Sequence, residues 1–365
     1  MFGSVGLRHN HIATPGAAMT TTKGYAALTS SGKIEPWEFE RRDVGANDIS
    51  IDIEFSGICH SDIHQVKEEW GAAKFPMVPG HEIVGTVVAV GNEVTKFKVG
   101  DIAGVGCFVD SCGECEYCLN GNDHWCLGKS ASTYNGMELD GVTPTYGGYS
   151  KNIVVKANYA LKVPANLDRA GAAPLLCAGI TTYSPLRHWN AGPGKNVAVL
   201  GLGGLGHMAV KIAVAMGAQV TVLSHSAKKR EDALAMGAHH FVDTSDRVAL
   251  RELANTMDIM INTVSADIEL HRYINILRQW GSLVVVGAPS NPYEIAPFSL
   301  MNRQLSLSGS NIGSIKETQE MLDFCGEHNI TSDIEVIAAS EINEAYERVL
   351  ASDVRYRFVI DTATI

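Results

Sequence analysis

The chain has no run of about 18 consecutive apolar residues, so a transmembrane helix is not expected. It also lacks a concentrated block of Lys and Arg. Its 29 basic side chains face 40 acidic ones, leaving a formal net charge of -11. Nucleic acids and anionic membranes both demand clustered cations, and neither is expected as a partner. Cysteine is sparse, with eight in 365 residues, and four of the eight fall between Cys112 and Cys126. That distribution argues against the disulfide framework of a short secreted chain. The N-terminus has no clear signal-peptide apolar core. Residues 1–22 carry no acidic side chain and read as a flexible extension, with a weak targeting segment or a start at Met19 as alternatives. No internal repeat or low-complexity tract appears.

What is present suits a globular protein of two domains. Apolar residues make up 45% and charged residues 19%, a balance that allows a sizeable core. Up to about Val163 the chain alternates short strand patterns with Gly- and Pro-containing turns. Ile51 to Phe55 alternates with period two, and Gly85 to Val90 is nearly all β-branched. After Pro174 the texture changes. Strands are predicted at Val197–Leu200, Val220–Leu223, Asp258–Ile261 and Ser282–Val286, with helices to about Met216 and over Lys228–Met236. Alternation of this kind predicts a doubly wound parallel sheet. A last strand is expected over Tyr356–Ile360.

Between the first of those strands and its helix stands Gly201-Leu202-Gly203-Gly204-Leu205-Gly206, a G-x-G-x-x-G turn. The pattern is weak alone and stronger where, as here, it follows a strand and opens a helix. The first glycine permits the turn, the second lets a pyrophosphate approach the backbone, and the third lets helix and strand pack closely. The next strand lacks the acidic residue that bonds a ribose 2'-hydroxyl in NAD enzymes. In its place are Ser224, His225 and Ser226, followed by Lys228, Lys229 and Arg230. Hydroxyls and cations hold a 2'-phosphate through charge-assisted bonds, whereas a carboxylate repels it. NADP is therefore the expected cofactor, read by Ser224, Ser226, Lys228 and Lys229.

Cys112, Cys115, Cys118 and Cys126 form C-x2-C-x2-C-x7-C. Four close thiols in one loop can wrap a tetrahedral zinc with no position left for substrate, which makes the site structural. Two disulfides or an iron-sulfur cluster are the alternatives. A second set, Cys59, His81, Glu82 and Cys177, is dispersed, and spacing alone does not mark it as a site.

Gly80-His81-Glu82-Ile83-Val84-Gly85, the four-cysteine loop, Cys177-Ala178-Gly179 and the glycine turn occur in one order. In this the chain resembles the zinc-containing medium-chain alcohol dehydrogenases, and most of all their cinnamyl-alcohol-dehydrogenase-like branch. The resemblance runs from about Lys23 to the C-terminus. It implies an α/β protein with a GroES-like, mostly-β catalytic domain over 23–175, including the zinc loop at 107–128. A Rossmann NADP-binding domain follows over 176–311, and a C-terminal segment, 312–365, completes the catalytic domain. It implies two zinc ions per chain. The catalytic one is held by Cys59, His81 and Cys177, with Glu82 as the acid able to approach it. Ser61 and His64 fall at the positions of the family's proton relay, and Asp62 would orient the loop or a neighbour. Thr263, Gly287 and Ser310, Asn311 and Ile312 match segments that contact the nicotinamide end. Cys107 and Cys325 match no ligand position.

The implied reaction is hydride transfer between NADP(H) and a primary alcohol or aldehyde, in a cytoplasmic homodimer. One departure bears on substrate. Plant cinnamyl enzymes carry a bulky aromatic near the segment matching Thr133-Tyr134-Asn135, which here follows Ser132. That favours medium-chain linear and simple aromatic aldehydes over lignin precursors. The rival readings are a zinc-dependent reductase of activated C=C or C=N bonds on the same frame, and a non-catalytic NADP-binding zinc protein.

Overall fold

The computed structural model describes residues 19–30, 32–289 and 291–365. Residues 1–18 of the expected extension lie outside that range. Its last four residues do not belong to an extension: Met19 to Thr22 begin the strand Met19–Ala27, paired antiparallel with Ile34–Arg42. Backbone pairing outweighs the absence of a period there, and Thr22 is buried in the pairing.

Two sheets organise the molecule. The first is a seven-stranded mixed sheet. Its path runs Leu161–Lys162, Ile102–Val105, Ile83–Val90, Asp48–Gly57, Arg357–Asp361 and Ile334–Ala338, with Asn152–Lys156 also on Asp48–Gly57. Strand Arg357–Asp361 thus joins the end of the chain to its beginning, with Val359 opposite Gly57. The second sheet has six parallel strands, ordered His240–Asp243, Gln219–Ser224, Asn196–Leu200, Met257–Asn262, Leu277–Val285 and Ser306–Gly309. The order reverses beside Asn196–Leu200, which places the glycine turn at the switch point where doubly wound folds bind ligands.

Every residue of Met257–Asn262 is buried, as expected of a central parallel strand covered on both faces. The strand predicted at Ser282 starts earlier, at Leu277. The helix predicted from Lys228 begins as a 3-10 turn over Ala227–Lys229, and the α-helix starts at Arg230. Lys228 and Lys229 thus stand outside the α-helix, whose first turn carries Glu231 and Asp232 after Arg230, as the positive end of its dipole favours. Among the described residues no helix is long and apolar enough to cross a membrane.

The two sheets meet through the helix Gly206–Ala215. Its His207 is fully buried, with Nδ1 3.2 Å from the Gly203 carbonyl oxygen and Nε2 2.9 Å from Ser332 Oγ. The ring stacks on Tyr356 at 5.1 Å. A neutral imidazole fits this site, donating through Nδ1 and accepting from the Ser332 hydroxyl. Burial, aided by Lys211 and Arg357, pushes its pKa down to about 3. The unfolded chain takes up this proton below about pH 6.5, and the folded site refuses it until about pH 3. Stability contributed by the neutral ring is therefore complete above that window and is lost as pH falls through it. We predict that His207→Gln lowers stability at pH 7 yet flattens its acid dependence. The difference is the proton linkage of one group, about 1.4 kcal/mol per pH unit. Urea denaturation at several pH values between 6 and 4 measures this slope, and an unchanged slope contradicts the assignment.

Candidate active site

Strand Asp48–Gly57 ends beside the helix His60–Val66, whose N-cap is Cys59. Asp62, in the first turn and fully buried, organises the surroundings of that cap. Its carboxylate accepts from the Cys59 N–H at 2.9 Å, the Gly80 N–H at 3.3 Å and the Tyr149 hydroxyl at 3.1 Å. It also holds His81 Nδ1 at 3.0 Å. With Nδ1–H so engaged, His81 presents Nε2 as its free donor atom, the arrangement that orients metal-binding imidazoles. Tyr134 packs on the His81 ring at 5.7 Å, so the segment flagged by its sequence context abuts this centre.

Cys177 arrives from the other side, at the start of the helix Ala178–His188. The structure brings the dispersed set together: the ligand atoms of Cys59, His81, Glu82 and Cys177 all lie within 4.8 Å of one another, and all four residues are buried. The sulfurs of Cys59 and Cys177 are 3.8 Å apart. Two bonds of about 2.3 Å to a tetrahedral zinc put sulfurs roughly 3.8 Å apart, whereas a disulfide needs about 2.0 Å. Buried thiols also avoid ionising without a cation nearby. The donor set fits a zinc with three N/S ligands and a further position for Glu82 or another oxygen.

Glu82 reaches the group because Gly57 has no side chain: a Cβ there would stand 2.0 Å from Glu82 Oε2. Glu82 Oε1 accepts from Arg357 Nη2 at 2.6 Å, while Oε2 is buried without a hydrogen-bond partner. Burial raises the pKa of the Glu82 carboxyl, and the guanidinium pulls it back toward the ionised form. Arg357 also donates to the Ile58 carbonyl at 2.8 Å. Its Cδ lies 2.8 Å from where a Cβ on Gly204 would sit. One side chain therefore connects the metal-ligand group to the glycine turn. Sequence reasoning missed Arg357, which carries no motif of its own.

The glycine turn has the shape its pattern implies. Gly201 has φ +92°, a Cβ on Gly206 would stand 2.1 Å from the Gly201 carbonyl oxygen, and nothing lies within 4 Å of a Cβ on Gly203. Space is thus left at the second glycine, where a pyrophosphate needs it. Thr263 Oγ1 donates to the Leu200 carbonyl at 2.9 Å and buttresses the turn. A Cβ on Gly287 would stand 2.5 Å from the Val264 carbonyl oxygen, so this glycine packs the next loop against the same segment. At the neighbouring strand end Ser224 is buried, with its Oγ accepting from the Ser226 N–H at 3.3 Å. Lys228 is exposed. Lys229 instead turns inward, its Nζ 2.7 Å from the Leu202 carbonyl oxygen, nearer to the pyrophosphate turn than the sequence suggested. Ser310, Asn311 and Ile312 follow the strand Ser306–Gly309, with the Ser310 N–H on the Val285 carbonyl at 3.1 Å.

Ser61 Oγ lies 3.5 Å from Cys59 Sγ. His64, one helical turn on, has Nδ1 against the Glu69 carboxylate and its ring stacked on Trp70 at 4.7 Å. Glu69 was not legible, although a carboxylate five residues after the expected relay histidine is a signal that could have raised it. In the four-cysteine lobe the ligand sulfurs also lie within 4.8 Å of one another. Cys112 and Cys118 are 3.8 Å apart, Cys115 and Cys118 3.5 Å, and all eight cysteines are free. These spacings exclude the two-disulfide alternative in this fold and suit a shared metal. Cys325 is a buried core thiol, while Cys107 sits 3.9 Å from the Leu176 carbonyl oxygen, beside the catalytic group.

A two-sheet protein with a dinucleotide turn, an open N/S metal group and a closed four-thiol lobe defines a class of metal-dependent dehydrogenases. Comparisons with known proteins agree. Residues 45–165 match the alcohol dehydrogenase GroES-like domain and 204–327 the zinc-binding dehydrogenase family. The chain is 58% identical over 348 residues to NADP-dependent alcohol dehydrogenase C 1 of Mycolicibacterium smegmatis, covering 95% of this chain and 99% of that protein. It is 49% identical over 345 residues to aldehyde reductase YahK of Escherichia coli, covering 94% and 99%. Its structure superposes on the sorghum cinnamyl alcohol dehydrogenase SbCAD4 with a TM-score of 0.91 at 46% identity, covering 94% of this chain and 98% of that one. The Helicobacter pylori cinnamyl alcohol dehydrogenase complexed with NADP(H) gives 0.89 at 41%, covering 95% and 99%. The chain belongs to the zinc-containing medium-chain alcohol dehydrogenase family, in its cinnamyl-alcohol-dehydrogenase-like branch. It is an oxidoreductase with a GroES-like domain and a Rossmann domain.

The Arg357–Glu82 pair can be tested for its part in this architecture. Removing one partner of a buried ion pair strands the other charge and typically costs about 3–5 kcal/mol. We predict a loss of that order in Arg357→Met, with part regained in the double variant Arg357→Met/Glu82→Gln. Urea midpoints of the two variants against wild type decide it. Equal midpoints for wild type and Arg357→Met contradict the role given to the pair.

Proposed function

We propose that this protein is a zinc-dependent, NADP-linked alcohol dehydrogenase that acts as an aldehyde reductase on primary alcohols or their aldehydes. The observation that carries the reading is the buried Cys59, His81, Cys177 group with Glu82 beside it, tied by Arg357 to a dinucleotide turn. Bound there, zinc supplies Lewis acidity and the nicotinamide supplies hydride chemistry. The chain's own residues do the rest. Cys59, His81 and Cys177 hold the metal, and Asp62 keeps His81 in the tautomer that presents Nε2. Ser61 passes the proton that the product oxygen requires, and His64 carries it toward solvent. With the Glu69 carboxylate on Nδ1, Nε2 is the nitrogen left to take that proton. Gly201 to Gly206 receive the pyrophosphate, with Lys229 close by. Ser224, Ser226 and Lys228 read the 2'-phosphate, and Thr263, Gly287 and Ser310 to Ile312 line the nicotinamide end. Cys112, Cys115, Cys118 and Cys126 hold the second, structural zinc.

Medium-chain linear and simple aromatic aldehydes suit a site in which Ser132 precedes Tyr134 and Tyr134 lies on the His81 ring. We draw the domains at 23–175, 176–311 and 312–365. The assembly we assign is a homodimer. Support comes from the edge of the parallel sheet at Ser306–Gly309, unpaired on its outer side among the described residues, and from nearby Trp280, Phe298 and Met301, which are 70%, 68% and 63% exposed. Eight free cysteines suit a reducing, cytoplasmic setting.

The test is turnover by the purified protein with NADPH and NADH across an aldehyde panel, with zinc measured on the same sample. We expect NADPH oxidation and two zincs per chain, one for each ligand group. Cys177→Ser should retain NADPH binding, lose one zinc, and lose turnover by more than roughly 100-fold, beyond the cost of an outer-shell change. Full zinc without turnover on any aldehyde favours the C=C or C=N reductase instead. Cofactor choice has its own variant. Ser224→Asp should shift preference toward NADH by about tenfold or more, because a buried carboxylate repels the 2'-phosphate. An unchanged NADPH to NADH ratio of kcat/KM overturns that assignment.

A further inference from the structure

Ile312 has φ +42°, a left-handed backbone at a β-branched residue. Such a conformation is strained and persists only where neighbouring contacts over-determine it. Those contacts come from three parts of the chain. On the N-terminal side, the Ser310 N–H is held by the Val285 carbonyl at 3.1 Å. Next, Gly313 is pressed against the helix that follows Cys177: a Cβ there would stand 2.7 Å from Ile180 Cδ1. The third contact crosses from the four-cysteine lobe. Asp123, between Cys118 and Cys126, accepts the Ile315 N–H on Oδ1 at 3.1 Å, over a sequence separation of 192 residues. Ser314 caps the same helix by accepting from the Glu317 N–H at 3.1 Å, so the Ile315 N–H would have no helical partner without Asp123. The lobe also lies against Lys316, whose side chain is 3.7 Å from where a Cβ on Gly121 would sit.

We propose that Asp123 is a positioning residue for hydride transfer: from the four-cysteine lobe it holds 310–312 in the strained shape that receives the nicotinamide. The inference rests on the reading that this segment contacts the nicotinamide, and it gives the structural lobe a part in the reaction. The chemical argument is one of distance. A carboxylate and its N–H partner hold their spacing to a few tenths of an ångström, and displacement of reacting groups by 1 Å costs about 100-fold in rate. Segment 310–312 is anchored to the Rossmann sheet at one end and to the lobe at the other, so losing Asp123 frees only the end nearer the helix.

The experiment compares Asp123→Ala, Asp123→Asn and Gly313→Ala in the zinc-loaded full chain. Its readouts are zinc content, binding of 2',5'-ADP (which has no nicotinamide), kcat, and the primary isotope effect with 4-deuterated NADPH. For Asp123→Ala we expect normal zinc and 2',5'-ADP binding, a fall in kcat of about tenfold, less than a full 1 Å displacement would give, and a larger isotope effect. Asp123→Asn keeps an acceptor oxygen and should recover most of the rate. A kcat and isotope effect unchanged in Asp123→Ala, or a loss that tracks zinc loss, overturns the inference. Gly313→Ala separates the two ideas, because its Cβ displaces the segment from the other side. If it lowers kcat while Asp123→Ala does not, the nicotinamide reading stands and the inference fails. If neither variant changes the rate, both fail.

Discussion

A buried guanidinium under a glycine turn is the contact on which the geometry of this enzyme depends. Arg357 starts the strand between Asp48–Gly57 and Ile334–Ala338 in the first sheet, and from there it meets Glu82, Ile58 and the space beneath Gly204. Two side-chain absences make room for it: Gly57 admits the Glu82 carboxylate, and Gly204 admits the arginine stem. Desolvating two such charges is costly, and in stability alone a packed apolar pair would serve as well. What the pair adds is registration. The loop for the cofactor phosphates and the group for the metal belong to different sheets, and Arg357 touches both. Burial opposes its charge, but Glu82 and the Cys59 and Cys177 sulfurs raise its pKa well above the ordinary arginine value. It is a fixed cation at the boundary between the two binding sites.

Asp62 plays the matching part within the catalytic domain. With no exposed surface it gathers the Cys59 and Gly80 backbone N–H groups, the Tyr149 hydroxyl and His81 Nδ1. All four are donors, so the carboxylate needs no further partner in a dry site. The spacing between the Cys59 and His81 ligands is thereby set by one side chain. The four-cysteine lobe reaches its shape differently, through ligands so close in sequence that a metal can pull a loop together. There, backbone N–H groups point at the sulfurs, as from Cys115 to Cys112 at 3.4 Å. One centre is built by the fold, and the other helps to build its own loop.

This difference also explains what was legible beforehand. The lobe spans 15 residues and the glycine turn six, so spacing alone carries their chemistry. Strand and helix alternation after Pro174 was legible because a parallel sheet buried on both faces writes short apolar runs. The proposed catalytic ligands lie at 59, 81 and 177, and only the family resemblance joined them before the fold did. Arg357 and Glu82 are 275 residues apart, and Asp123 and Ile315 are 192 apart. No local period records pairings of that length. Lys229 was recognised as a cofactor-side cation, but its inward turn to Leu202 is a matter of side-chain direction that neither charge nor propensity encodes.

In the function proposed here, the two ends of the cofactor site follow opposite physical rules. At the adenosine end, selectivity is a matter of charge sign, with hydroxyls and exposed cations where a carboxylate would exclude a phosphate, and small displacements change little because Coulomb forces fall off slowly. At the proposed nicotinamide end no charge marks the segment 310–312, and its backbone is strained at Ile312. Hydride transfer depends steeply on distance and orientation, so that end calls for rigid anchoring. The chain would meet the first demand with exposed surface side chains such as Lys228. It meets the second by bracing a short strained segment from three sides, through Val285, Ile180 and Asp123.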